Sequence, residues 1–173
     1  MQRQVVHEQW KQDRAAFHEL VAAATVEDLR RPSRGTRWTN QQLLFHLLFG
    51  YQVVRALLVL VRAFGRLPDP ISRIFAWSLN SATGLFHIVN YWGSCGGGLL
   101  TPRLMDAWFD HIIAALHRSL DRASDAELAR GMYFPTRWDP FFRDHMTLAD
   151  VYRYPAKHFA FHRAQLTLGS AGV

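Results

Sequence analysis

The sequence is short of cysteine, of lysine and of any strand-like alternation. A single cysteine in 173 residues, Cys95, leaves no internal disulfide, so the chain must hold together by packing, and it suits a reducing compartment. The opening stretch MQRQVVHEQWKQ has no apolar run, which predicts no signal peptide and a cytoplasmic protein. Lysine is nearly absent: of 20 basic residues 18 are arginine, and they outweigh 14 acidic residues to give a net charge of +6. The arginines are scattered, with no run longer than Arg30-Arg31, so no nucleic-acid partner is expected. There is no G-x-S-x-G, which removes the usual serine-hydrolase arrangement. The glycine-rich WGSCGGGLLTP lacks the Lys-Ser/Thr of a phosphate loop and has no strand before it.

What is present is apolar and aromatic. Hydrophobic residues make up 49% and charged residues 20%, the balance of a globular chain, and the length suits one domain over residues 1–173. The run LLFHLLFGYQVVRALLVLVRAF, residues 43–64, is long enough to cross a bilayer. It carries His46, Gln52, Arg55 and Arg62, however, and charges inside lipid are expensive. A buried core helix is predicted, with no membrane partner.

Helical periodicity dominates. Val6, Trp10, Phe17, Leu20 and Val21 share one face, while His7, Lys11, Arg14 and His18 share the opposite one. That second face reads as solvated, which sets His7 and His18 aside as ligands. Four N-terminal signatures follow: Thr25 with Asp28, Thr39 with Gln42, Ser124 with Glu127, and Thr147 with Asp150. Thr101 followed by Pro102 predicts another helix start. In that helix Leu104, Trp108, Ile112 and Leu116 are expected to face inward, with Asp106, Asp110, His117 and Asp121 as a polar stripe. Residues 66–100 are atypical: apolar, aromatic, helical in part, and ending in a glycine-rich stretch expected to be a flexible loop. Pro155 should kink the last helix or restart it. The pattern predicts an all-α protein, a four-helix bundle with extra short helices.

Two histidines in HFAFH, His158 and His162, sit four apart and so share a helix face. Alone, such a pair reads as packing or edge exposure before it reads as metal binding. His46 adds a third. At about 100° per residue, Arg55 and Arg62 lie nearly opposite it, so His46 should face inward, among leucines and Phe45, with Gly50 leaving space one turn on. A buried imidazole needs partners for its nitrogens. Three neutral imidazoles with open positions are the donor set of a catalytic metal site.

Trp38-Thr39 leading to His46-Leu47, the earlier VEDL…P, and the closing DPFFRDHMTLADVYRYPAKHFAFHRAQL resemble the DinB-like (DinB/YfiT) superfamily. The resemblance covers most of the chain, with residues 66–100 the least typical. It implies an up-down-down-up four-helix bundle binding a divalent metal such as zinc or nickel through His46, His158 and His162. It also implies thiol-dependent chemistry: S-transfer using bacillithiol, glutathione or mycothiol, or isomerisation of maleylpyruvate with mycothiol.

Three function classes follow. The first is a metal-dependent S-transferase or isomerase acting on a small apolar electrophile, with a low-molecular-weight thiol such as mycothiol as cofactor; it should show a basic groove beside the metal. The second is a non-catalytic bundle that holds metal or an apolar ligand. The third is a hydrolase or lyase using bound water, which should keep a carboxylate or histidine base near the metal; no Asp or Glu is clearly aimed there, which counts against it. Around the triad, Gln165 is a candidate partner for a ligand histidine, or a plain helix-end residue. Tyr154 and His111 are weak catalytic candidates with core packing as the alternative. Arg37 and Arg137 are candidates for a cofactor carboxylate. Trp77, Trp92, Trp138 and Phe142 suggest an apolar substrate under a glycine-hinged lid. A small-molecule substrate is the expected partner, and a homodimer is compatible with the sequence. Nothing near Cys95 would activate it.

Overall fold

The computed structural model describes residues 2–169. Long helices α1 (Arg3–Ala23) and α3 (Asn40–Phe64) flank the short α2 (Val26–Arg30). Next come α4 (Asp69–Ser81) and α5 (Thr83–Gly97), then α6 (Pro102–Arg122) and the short α7 (Asp125–Ala129). A hairpin of β1 (Gly131–Tyr133) and β2 (His145–Thr147) precedes the last helix, α8 (Leu148–Arg163). The four long helices α1, α3, α6 and α8 make the bundle, as the periodicity predicts.

All four capping boxes form. Thr25, Thr39, Ser124 and Thr147 each accept from the backbone N–H three residues on, and each partner side chain reaches back. Each such cap is worth about 1 kcal/mol, so the helix starts are written locally. The interior is filled by Trp10, Phe17, Leu47, Leu48, Tyr51, Phe109, Ile112, Tyr152 and Phe159, which are essentially solvent-free. One helix, α3, is long and apolar enough to cross a membrane, but most of its apolar window is buried inside the bundle.

Several expectations need correcting. No strand was predicted, yet β1 and β2 pair antiparallel, with Met132 opposite Met146. At three residues each, the strands are too short for alternation to register. The expected flexible glycine loop is instead the end of α5, which runs through Gly93, Gly96 and Gly97. A Cβ on Gly97 would lie within 2.0 Å of the Phe45 ring, so the glycine is there to let α5 press onto α3. Pro155 lies buried within α8, which is a single element. On α6 Ile112 and Leu116 are buried as expected, but Leu104 and Trp108 are exposed and Met105 and Phe109 take their place inside.

The reason lies in the charged stripes. The α1 face read as solvated and the α6 polar stripe meet each other. Arg14 forks onto Asp110 at 2.6 and 2.9 Å, His18 Nε2 bonds Asp110 at 2.7 Å, and His7 Nε2 lies 3.0 Å from Asp121. Likewise Arg62 does not simply face water but donates to Ser119 and Tyr152.

Candidate metal centre

His46 is held by α3, while His158 and His162 come one turn apart from α8, which packs along α3. Each residue offers a ring nitrogen, and these nitrogens all lie within 4.8 Å of one another. The ring centroids are 4.5 to 5.0 Å apart. His46 and His158 are buried, at 4% and 5% exposure, and His162 is half-buried.

Gly50 explains how two helices carrying imidazoles approach so closely. A Cβ there would sit 2.6 Å from Nδ1 and 2.8 Å from Cε1 of His158. The space expected beside His46 is therefore occupied by the second histidine of the cluster.

The partners of the rings fix their orientation. His46 Nδ1 bonds Ser94 Oγ of α5 at 3.0 Å, and His162 Nδ1 bonds Gln165 Oε1 at 2.7 Å. With Nδ1 committed outward, Nε2 of each is left for the centre, the usual arrangement of metal-binding histidines. Desolvation pushes His46 down to about 3, with His162 adding to the effect. Burial also holds His158 well below its ordinary value, and lowers His162. All three are thus neutral at pH 7 with free lone pairs. A nitrogen donor set of this kind fits a divalent cation such as zinc or nickel.

The same shifts give a pH dependence for the metal-free protein. In the unfolded chain these histidines take up protons near pH 6.5, while in the folded chain they resist doing so. The unfolded state therefore binds more protons below that pH, and stability present above 6.5 is lost as pH falls toward the folded values. Urea unfolding in chelator should give a lower midpoint at pH 5 than at pH 7. The drop should shrink in His46→Ala, and an equal drop in both proteins would contradict this account.

A cavity of about 190 Å³ opens beside the triad. Its walls are largely aromatic: Trp38, Phe49, Phe86, Trp138, Phe141 and Phe161 among them. Trp38 packs its ring 4.5 Å from that of His46, and its indole N–H has no hydrogen-bond partner among the described residues. The polar residue that stands out is Asp139. Its Oδ2 accepts from the Tyr154 hydroxyl at 2.7 Å and lies 3.9 Å from His158 Nε2. Its Oδ1 accepts from the Phe141 amide at 2.8 Å. Burial first, and the Asp139 charge second, raise the Tyr154 phenol well above its ordinary value, so Tyr154 stays a donor.

A family model described as the DinB superfamily matches residues 9–166. The chain belongs to the DinB superfamily. No curated protein matches it. Among solved structures, YfiT from Bacillus subtilis, described as "a probable metal-dependent hydrolase with an unusual four-helix bundle topology", superposes with a TM-score of 0.65 at 17% identity. The match covers 96% of this chain and 84% of YfiT. A mycothiol-dependent maleylpyruvate isomerase superposes with a TM-score of 0.64 at 9% identity, covering 99% of this chain and 63% of the isomerase. At these identities the likeness is one of fold.

Within this DinB-like bundle the remaining sequence candidates separate. Tyr154 lines the cavity and Gln165 touches His162. His111, expected on the inward side, is exposed and does not line the cavity, because the inward arc of α6 runs through Phe109, Ile112 and Ile113 instead. Arg37 and Arg137 are exposed and neither lines the cavity. Trp138 and Phe142 do line it, whereas Trp77 and Trp92 point to solvent. Among the described residues no glycine-hinged lid covers the site: α5 is helical and contributes Phe86, His87 and Asn90 to the wall.

Sequence reasoning missed Ser94 and Asp139. Ser94 was legible as part of a polar series, His87, Asn90 and Ser94, at helical spacing within an apolar stretch. Asp139 carried no such signal, because it sits in the irregular segment WDPFF, where no periodicity says which way a side chain points.

Proposed function

We propose that this DinB-like protein is a metal-dependent enzyme that turns water on a small apolar electrophile, a hydrolase with a three-histidine centre. The observation that carries this reading is Asp139, a carboxylate anchored by Tyr154 and the Phe141 amide next to the triad. A hydrolase of this type needs a base within reach of the nucleophile's proton. His46, His158 and His162 would hold the cation, which when bound supplies Lewis acidity and lowers the pKa of a coordinated nucleophile.

The chain's own residues supply the rest. Asp139 Oδ2 receives the proton from the attacking nucleophile, and the Tyr154 hydroxyl keeps the carboxylate aimed at the centre. Ser94 and Gln165 hold the imidazole tautomers. The aromatic wall orients an apolar substrate and keeps bulk water away, which strengthens each electrostatic contact inside.

The thiol-dependent reading, S-transfer or isomerisation with mycothiol or a similar thiol, ranks second. The mycothiol-dependent isomerase shares the fold. A thiol cofactor would call for basic residues beside the metal, and no arginine or lysine is among the cavity-lining residues. A cavity of about 190 Å³ is also below the usual range for a drug-sized ligand.

The test is elemental analysis of wild type beside His46→Ala and His158→Ala. About one equivalent of divalent metal is expected in wild type, as for a single His₃ centre, with loss in both variants. A wild-type protein that takes up neither zinc nor nickel on incubation would defeat the reading. The metal-loaded protein is then assayed on aromatic esters and amides, with and without added thiol. Turnover that requires the thiol would move the second reading to first.

A further inference from the structure

Helix α5 is built the wrong way round for a helix that faces water. Of its polar side chains, Ser94 is buried against His46, Asn90 is half-buried in the cavity wall, and His87 is exposed at the cavity's edge. Its outward stripe is Leu85, Ile88, Val89 and Trp92, at spacings of three, four and seven, and these are 57% to 66% exposed. The adjoining α4 repeats the pattern: Ser72 and Ala76 are buried, while Ile71, Ile74 and Trp77 are exposed, Trp77 at 71%. Leu99, just past α5, is 89% exposed. Scattered apolar residues on a surface need no explanation, but a run of this kind on two successive helices marks an interaction surface.

The charge around this face says what it meets. Helix α5 contains no charged residue, and no carboxylate occurs between Pro70 and Met105. The exposed charges that bracket the segment are mostly arginines: Arg66, Arg73, Arg103 and Arg137, against Asp69 alone on α4. The whole chain carries +6. Two exposed tryptophans, bulky aliphatics and a cationic surround are the make-up of a surface that settles into the headgroup region of an anionic bilayer. A second copy of the chain is the other occupant to weigh. Specific self-association uses a packed core ringed by polar groups that set the register, and the outward stripe of α5 holds no polar side chain. A bilayer needs no register.

We propose that the α4–α5 face is a peripheral membrane-docking surface that seats this protein on anionic lipid. Docked in this way, the apolar cavity lies on the far side of α5 from the lipid, one helix thickness away. The surface is thus suited to an enzyme whose substrate partitions into membranes. The docking itself does not depend on the metal or the reaction.

The test is co-sedimentation of wild type with vesicles of phosphatidylglycerol mixed with phosphatidylcholine, and with vesicles of phosphatidylcholine alone. Trp92→Glu and the double variant Trp77→Glu/Ile88→Glu are run beside it, with circular dichroism as the check on folding. These positions are exposed, so the bundle should survive the changes. Wild type is expected to bind the phosphatidylglycerol vesicles, more weakly in high salt, and to leave phosphatidylcholine vesicles largely unbound. Each variant should bind at least about 10-fold less, the effect of losing roughly one buried side chain's contribution. The proposal is overturned by absence of binding to either vesicle, by binding that both variants retain, or by equal binding to the two vesicles. It is also overturned if wild type is a dimer in solution that Trp92→Glu converts to monomer, which would assign the face to a second copy.

Discussion

Gly50→Ala is expected to empty the metal centre while leaving the bundle folded. The added methyl would lie 2.6 Å from His158 Nδ1 and 2.8 Å from Cε1, far inside van der Waals contact. The imidazole can retreat only toward the cavity it lines. Its other sides meet His46, His162 and Tyr154, with ring centroids at 5.0, 4.5 and 5.8 Å. The substitution must therefore turn the His158 ring or separate α3 from α8. Overpacking of this kind costs about 1–3 kcal/mol of stability, which a domain of this size can usually bear. Its effect on the centre should be larger, because a ligand nitrogen displaced by even a few tenths of an ångström leaves the bonding range. Zinc titration should show at least a ~10- to 100-fold loss of affinity, the range seen when only the partners of metal ligands are removed. Wild-type affinity in a folded Gly50→Ala protein would mean that His158 is not a ligand.

Asp139→Asn is the second large effect. Asparagine keeps the size but has one acceptor oxygen where the carboxylate has two, so it can accept from the Phe141 amide or from Tyr154 and not from both, and it cannot take a proton. If Asp139 is the base, kcat should fall by about 10²- to 10⁴-fold, the usual contribution of general base catalysis, with metal content unchanged. Tyr154→Phe should fall less, since it removes the hydroxyl that aims the carboxylate and leaves the carboxylate in place. A variant that keeps its metal and full rate would make Asp139 a structural residue and return the thiol reading to first place. The split between metal content and rate is what separates a proton acceptor from a residue that merely supports the cation.

Much of the site could be read before the fold was known, and the reason is periodicity. The inward direction of His46 followed from Arg55 and Arg62 on the opposite side of α3, even though Arg62 turned out to donate to Tyr152 and Ser119. The shared face of His158 and His162 followed from their spacing alone. Helix starts were legible because a cap is a contact between residues three apart. Local chemistry of that range survives into the tertiary structure unchanged. Where periodicity fails, so did the reading. Asp139 lies in an irregular segment, and His111 sits at the edge of an amphipathic face, where a rotation of one position moves a side chain from cavity to solvent. The glycines of α5 read as a loop because local propensity disfavours glycine in helices. The packing of α5 against Phe45, where a side chain on Gly97 could not fit, overrides that preference.

The sequence by itself determined the four long helices, the capped helix starts, the all-α class and the inward face of the three histidines, since each depends on residues along a single helix or its cap. Only the tertiary structure decided that the polar stripes of α1 and α6 pair with each other, that Asp139 reaches the triad, and that α5 turns its polar face in and its apolar face out. These depend on which helix lies beside which and at what rotation, and that is settled by packing between residues as far apart as Gly50 and His158.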